Sequence, residues 1–391
     1  MKKFSKLYLL IAFLISSNAK SQTYNTFYGD VVNNYSSDSI HQYLVEFENL
    51  GVKEHGTVAL QNTLGWIIEK YNNYGYNDIE IDTFNYAAQD DYNLIVTKQG
   101  SVYPNTFVII DGHYDTKSGT GTNDNGTGTA IILEVARLLQ NITTEYSIKF
   151  IHFSGEEDGL VGSTHYVNNN VVPNNMDIKI VFNIDEVGGV NGLINNTIVC
   201  ERDEATPSVA NAASYAYTDT LSSCMELYSD LQTEISYAYS SDYMPFQAQE
   251  KVITGLYEKN ESPYNHTPAD SLSKMDTNYV YEIAKGTIGA SLYFAVAREY
   301  GVGIESFMNS SYPLVYPNPT KNYLTIDFKE RMSGIKKIQL FNILGEVVFE
   351  IQSSNTNEKL ELMNLPRGVY TLSIRSLKQH FTKKIILQPQ L

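Results

Sequence analysis

Residues 106–115 read Thr-Phe-Val-Ile-Ile-Asp-Gly-His-Tyr-Asp. The apolar run Thr106–Asp111, closed by a glycine, predicts a short strand buried on both faces. A Gly-rich loop at 119–128 follows. Ala130–Gln140 then places Ile131, Val135 and Leu138 on one face of a helix. The same alternation continues downstream. Ser147–Phe153 and Ile178–Ile184 read as strands, Val252–Leu256 as a further short strand and Ile283–Tyr300 as a closing helix. Upstream, Ile40–Leu50 and Val58–Tyr74 are amphipathic at helical spacing. Strands alternating with helices predict an α/β fold: a mostly parallel central sheet flanked by helices.

Chemistry-bearing residues gather where that fold would bring them together. His113, the pair Glu156-Glu157, Asp185 and His266 each come after a predicted strand, and Asp124 sits in the loop before a predicted helix. Open α/β sheets build their sites in the crevice at the carboxyl ends of the strands. Zinc takes imidazole nitrogen and carboxylate oxygen, and a catalytic site keeps one position open for water. His113, Asp124, Glu157, Asp185 and His266 are therefore candidate metal ligands. Asp115 is placed to orient the His113 ring, because a ligating imidazole usually donates its second N–H to a carboxylate or carbonyl. Adjacent carboxylates are costly unless cations or a shared proton relieve them. In the Glu156-Glu157 pair one residue fits a ligand and the other a general base, with Glu156 taken as the base. Taken singly, each has a simpler account: a surface imidazole, a helix cap at Asp124, a solvated acidic turn, a turn histidine at 266. Jointly they point to metal-activated water attacking an amide carbonyl. His41, His55, His152, His165 and His380 receive no role.

Length, charge and composition bound the reading. At 391 residues the chain calls for more than one core. Residues 1–21 read as a removable export signal, with Lys2, Lys3 and Lys6 ahead of the apolar run Leu7–Ile15. That run is too short for a membrane-spanning helix, which needs about 20 apolar residues. Residues 22–307 carry 13 Lys/Arg against 38 Asp/Glu, a net of −25, whereas 308–391 carry 11 against 6, a net of +5. The acidic portion repels nucleic acid, so that class of partner is set aside. The sign change marks a domain boundary, and 304–314 reads as a linker. Beyond it Leu324/Ile326/Phe328, Ile338/Leu340 and Tyr370/Leu372/Ile374 alternate, which predicts a small all-β sandwich over 315–391 with about seven short strands. Cys200 and Cys224, the two cysteines, permit one disulfide in an exported chain.

Residues about 40–300 resemble the M28 family of zinc peptidases, the bacterial leucyl-type aminopeptidases. The resemblance is carried by His113-Tyr-Asp115, Asp124-Asn, Gly155-Glu-Glu-Asp-Gly-Leu-Val-Gly162-Ser, Asn183-Ile-Asp185 and His266-Thr-Pro-Ala-Asp270. It implies a catalytic domain over 22–303 with two zinc ions. Asp124 would bridge both, His113 and Asp185 would complete one, Glu157 and His266 the other, and Glu156 would be the general base. It also implies a cis peptide at Asp124–Asn125. One departure stands out: the family often has Ser-Asp-His where this chain has Ser241-Asp242-Tyr243. That touches side-chain specificity rather than the ligand set.

The tail resembles the C-terminal sorting domain of the type IX secretion pathway. Tyr316-Pro-Asn-Pro319, Asn342-Ile-Leu-Gly345, Leu365-Pro-Arg-Gly-Val-Tyr370 and Lys383-Lys384-Ile-Ile-Leu carry that match. The resemblances imply a secreted or cell-surface di-zinc aminopeptidase acting on peptides with a free N-terminus, routed by the type IX machinery. A single-zinc transferase of the glutaminyl cyclase type, a carboxypeptidase or dipeptidase on the same scaffold, and a non-enzymatic binding protein are the competing readings. An N/O ligand set could also hold cobalt or manganese.

Overall fold

The computed structural model describes residues 22–299, 313–318, 320–328, 334–376 and 380–388. The chain divides into two units between Glu299 and Tyr300. The predicted leader (1–21) and most of the linker (304–312) lie outside the described residues.

The first unit is built on an eight-stranded sheet. Its strands are β1 (Ile79–Tyr86), β2 (Gln89–Lys98), β3 (Tyr103–His113), β5 (Tyr146–Phe153), β6 (Asp177–Ile184), β7 (Thr197–Arg202), β8 (Gln232–Tyr237) and β9 (Ile253–Glu258). Two short strands, β4 (Thr143–Thr144) and β10 (Ala297–Arg298), pair with each other outside it. The order across the sheet is β1-β2-β5-β3-β6-β9-β7-β8. The centre, β5-β3-β6-β9, is parallel, while β1-β2, β2-β5 and β9-β7 are antiparallel. The expected α/β class holds, with a sheet that is mixed at its margins.

The central strands are apolar on both faces because both faces are covered. Val108, Ile110, Phe150 and Phe182 belong to one core, Ile109, Ile151 and Val181 to another. The first is closed by α1 (Thr26–Val32), α2 (Ser37–Asn49), α3 (Val58–Tyr74), α4 (Gly126–Leu139), α6 (Asn211–Tyr228) and α8 (Thr277–Phe294). The second lies under α5 (Val161–Tyr166), residues 167–171 and α7 (Met244–Gln247). Helices α6 and α8 approach closely: a Cβ on Gly286 or Gly289 would come within 2.4 Å of Met225 or Tyr228.

The second unit holds the strands β11 (Leu314–Tyr316), β12 (Tyr323–Asp327), β13 (Lys336–Phe341), β14 (Val347–Ser353), β15 (Asn357–Glu361), β16 (Gly368–Arg375) and β17 (His380–Leu387). They form a three-stranded sheet, β11-β12-β15, and a four-stranded sheet, β14-β13-β16-β17, all antiparallel. Leu324, Ile326, Ile338, Leu340, Leu372 and Ile374 share its core, as the period-two alternation requires. Cys200 and Cys224 are buried free thiols, so the disulfide that the sequence permitted is not formed. Among the described residues no helix is long and apolar enough to cross a membrane.

Candidate active site

The carboxyl ends of β3, β5, β6 and β9 deliver the site. His113 is the last residue of β3, and Asp185 immediately follows β6. Glu156 and Glu157 lie in the turn after β5, and His266 in the loop after β9 with a left-handed φ of 55°. Asp124 comes from the loop that leads into α4, and its peptide to Asn125 is cis.

These side chains form two groups that share one residue. His113, Asp124 and Asp185 present ligand atoms within 4.8 Å of one another, and so do Asp124, Glu157 and His266. In the first group His113 Nε2 lies 3.3 Å from Asp124 Oδ1 and 3.3 Å from Asp185 Oδ1. In the second His266 Nε2 lies 3.0 Å from Asp124 Oδ2 and 2.9 Å from Glu157 Oε2. Zinc bonds of about 2.0–2.1 Å in a tetrahedron put neighbouring donors roughly 3.3 Å apart. Glu157 Oε1 is buried without a hydrogen bond. Donor type, spacing and this orphaned oxygen all fit cations held in the two groups.

Electrostatics give the same picture. Burial works against a charge on His113, yet Asp185, Glu156, Asp115 and Asp124 hold its pKa well above the ordinary value. Burial works against Asp124 too, but the His113 and His266 imidazoles hold its carboxyl down to about 2. Glu157 is pushed up to about 8 by burial and by the charge of Asp124. Glu156 is pushed well above the carboxylate range, chiefly by burial. Its Oε2 lies 3.9 Å from His113 Nε2, and it belongs to neither ligand group.

The supporting contacts are more specific than the sequence foretold. His113 Nδ1 donates to the main-chain carbonyl of Asp115 at 3.1 Å, which leaves Nε2 free for a ligand. The Asp115 carboxylate, 3.5 Å from Nδ1, instead accepts the amides of Glu156 (3.3 Å) and Glu157 (3.2 Å). It orients the acid pair as much as the ring. Asp270, named by sequence only as the end of a motif, accepts the amides of Asn123 and Asp124 at 2.9 and 3.1 Å. Ser241 donates to Asp185 Oδ2 at 2.7 Å, and Thr129 to the carbonyl of His113 at 3.1 Å. Ser241 and Thr129 carried no sequence signal of this role. Glu186, the neighbour of Asp185, stays out of both ligand groups. Its carboxylate accepts from Tyr257 and Asn265.

Asp124, Glu156, Glu157, Asp185 and His266 line one cavity of about 530 Å³.

Comparison with known proteins places this geometry. Residues 93–290 match the profile of peptidase family M28, and residues 314–388 match the secretion system C-terminal sorting domain. Over 225 residues, 55% of this chain, the sequence is 30% identical to "Aminopeptidase YwaD" of Bacillus subtilis. That alignment spans 47% of the relative, so the chain covers less than half of the curated protein. Among solved structures, the LapA aminopeptidase of Legionella pneumophila superposes with a TM-score of 0.62 at 20% identity, covering 76% of this chain and 81% of that one. A glutaminyl cyclase of Bacteroides thetaiotaomicron superposes at 0.55 with 15% identity, covering 66% and 97%. These likenesses carry the fold, which an aminopeptidase and a cyclase share. By its matched profile, which spans the strands and loops that carry the two ligand groups, the chain belongs to peptidase family M28 and carries a C-terminal sorting domain.

Proposed function

We propose that the protein is a secreted di-zinc aminopeptidase that hydrolyses the first peptide bond of substrates with a free amino terminus. The observation that carries this reading is the sharing of Asp124 by two three-residue ligand groups that face one cavity beside an unliganded Glu156. In this reading His113, Asp124 and Asp185 hold one zinc, and Asp124, Glu157 and His266 the other. Bound zinc supplies Lewis acidity and a water of lowered pKa. Glu156 takes the proton from the attacking water and returns it to the leaving amine, so that water and amide become carboxylate and amine. Asp115 holds the backbone of Glu156 and Glu157 in place, and Asp270 does the same for the Asp124 loop. Relatives named as aminopeptidases support the reaction class.

A glutaminyl cyclase resembles this chain in fold, but that branch works with one zinc. The second complete ligand group favours the peptidase. We also read 1–21 as the export signal, 22–303 as the catalytic domain and 315–391 as the type IX sorting domain, which would deliver the enzyme to the outside of the cell.

The test is amino-acid release from a free-amine peptide and from its N-acetylated twin by the zinc-loaded protein. Release from the free peptide alone is expected. Equal cleavage of both would move the reading to another exopeptidase, and ammonia release from an N-terminal glutamine peptide without cleavage would move it to a cyclase.

A further inference from the structure

The cavity extends past the ligand groups to a wall whose acids have no part in the reaction above. Seven carboxylate side chains line the cavity. Asp124, Glu157 and Asp185 are ligands and Glu156 is the base, which leaves Glu186, Glu201 and Glu261. Among the described residues no lysine or arginine lines it. The four charges of two divalent cations would balance the three ligand carboxylates and Glu156, and leave Glu186, Glu201 and Glu261 with no cation among the lining residues.

Glu201 is the member the fold has built in. It lies near the end of β7 and is 4% exposed. Its Oε2 accepts the Tyr243 hydroxyl at 2.6 Å, while Oε1 carries no hydrogen bond among the described residues. That hydroxyl is itself held by the amide of Tyr239 at 3.0 Å. Gly255 on β9 makes room for the pair: a Cβ there would lie 2.6 Å from the Tyr243 ring and 3.0 Å from Glu201 Oε2. Burial pushes the Glu201 carboxyl up to about 8. An unpaired charge there is costly, and a partner cation would relieve the cost. Glu186, Glu201 and Glu261 line the same cavity as Tyr239, Tyr243 and Tyr257. Tyrosine rings are surfaces against which a methylene stem and a cation pack favourably.

We propose that this wall is a selectivity pocket for a positively charged side chain, lysine or arginine, on the amino-terminal residue of the substrate, with Glu201 as its determinant. The inference rests on the aminopeptidase reading and names its substrate class. The α-amine of such a substrate stays beside the scissile carbonyl, whereas a lysine ammonium reaches roughly 6 Å further along extended single bonds. Recognition of the α-amine is therefore common to every amino-terminal residue, and the far wall reads the side chain.

The experiment compares otherwise identical peptides beginning with lysine, arginine or norleucine, a straight chain of nearly the same length without charge. It uses the zinc-loaded full chain and Glu201→Gln. A parallel arm measures calorimetric binding of lysinamide and norleucinamide. A preference for lysine over norleucine of at least about tenfold is expected in kcat/KM and in affinity. Glu201→Gln should reduce that ratio to within about threefold while norleucine turnover persists, which also reports a folded enzyme. Tyr243→Phe, which leaves every carboxylate in place, should lower the ratio in the same direction. Equal handling of lysine and norleucine overturns the proposal, as does a lysine preference that survives both substitutions. Turnover without discrimination keeps the reaction and removes the pocket. Tighter binding of lysinamide without turnover keeps the pocket and removes the reaction.

Discussion

At the scale of single residues, the proposed base Glu156 is the position at which metal binding and chemistry can be tested apart. It lies outside both ligand groups, and Asp115 fixes its amide at 3.3 Å. Glutamine keeps its shape and loses its capacity to take a proton. Glu156→Gln should therefore retain the metal content of the wild type while kcat falls by about 10²–10⁴. A kcat within tenfold of wild type, with metal content unchanged, would remove Glu156 as the base. The residues that converge here were legible in the sequence because imidazoles and carboxylates suited to a metal are few in kind and these fall near strand ends. Their supports were less so. Asp270 and the Asp115 carboxylate act on backbone amides, which every residue carries, so no pattern in the sequence marks the partner. The sequence assigned Asp115 to His113 alone. The carboxylate also reaches the amides of Glu156 and Glu157, and the Asp115 main-chain carbonyl shares in orienting the ring.

At the scale of elements, the site depends on how closely α4 meets the end of β6. Asn125 caps α4 by accepting the Gly128 amide at 2.9 Å, and its Nδ2 donates to the Ile184 carbonyl at 2.8 Å. A Cβ on Gly128 would lie 2.3 Å from that carbonyl and 2.5 Å from Asn125 Oδ1. Gly128→Ala must therefore push the helix start away from Asp185, and Asp124 with it. We expect a loss of about 2 kcal/mol or more in urea unfolding, together with weaker zinc binding. Gly65→Ala is the control. Gly65 lies inside α3 with nothing within 4 Å of a Cβ, so alanine there should stabilise by about 0.5–1 kcal/mol and leave zinc affinity unchanged. A Gly128→Ala protein as stable as Gly65→Ala would refute the close-approach argument. The elements that escaped the sequence reading did so for physical reasons. The β1–β2 hairpin turns on Ala87 and Ala88, both at positive φ (47° and 65°), where a glycine or asparagine would have announced it. Helix α6 is rich in Ser, Thr and Tyr, weak helix formers that tertiary packing on α8 sustains. The closing helix was read over 283–300; α8 spans Thr277–Phe294 and is capped by Asp276.

At the scale of the whole molecule, two chemistries of surface accompany two separate cores. The acidic portion, 22–307, holds both candidate ligand groups and the cores on both faces of the large sheet, and the basic portion, 308–391, holds a core of its own. Each core closes within its unit. Leu324, Ile338, Leu372 and Ile385 pack among residues of the second, while Val108, Ile132 and Ile283 pack among residues of the first. Period-two alternation made the small β unit legible, because each of its strands has one buried face. The parallel centre of the large sheet was legible for the opposite reason, since strands covered on both sides are apolar throughout. Both cores of the first unit are built from residues 28–297, so a chain ending at Glu299 keeps all of them. It also keeps both candidate ligand groups, so it should bind the same number of zinc ions per molecule and keep kcat/KM on a free-amine peptide within about twofold, as expected of independent units. In cells that export the full chain, the same truncation should abolish delivery to the outside. Metal loss or a large fall in kcat/KM in the truncated chain would show that the tail completes the peptidase. Undiminished delivery without it would remove the tail as the address.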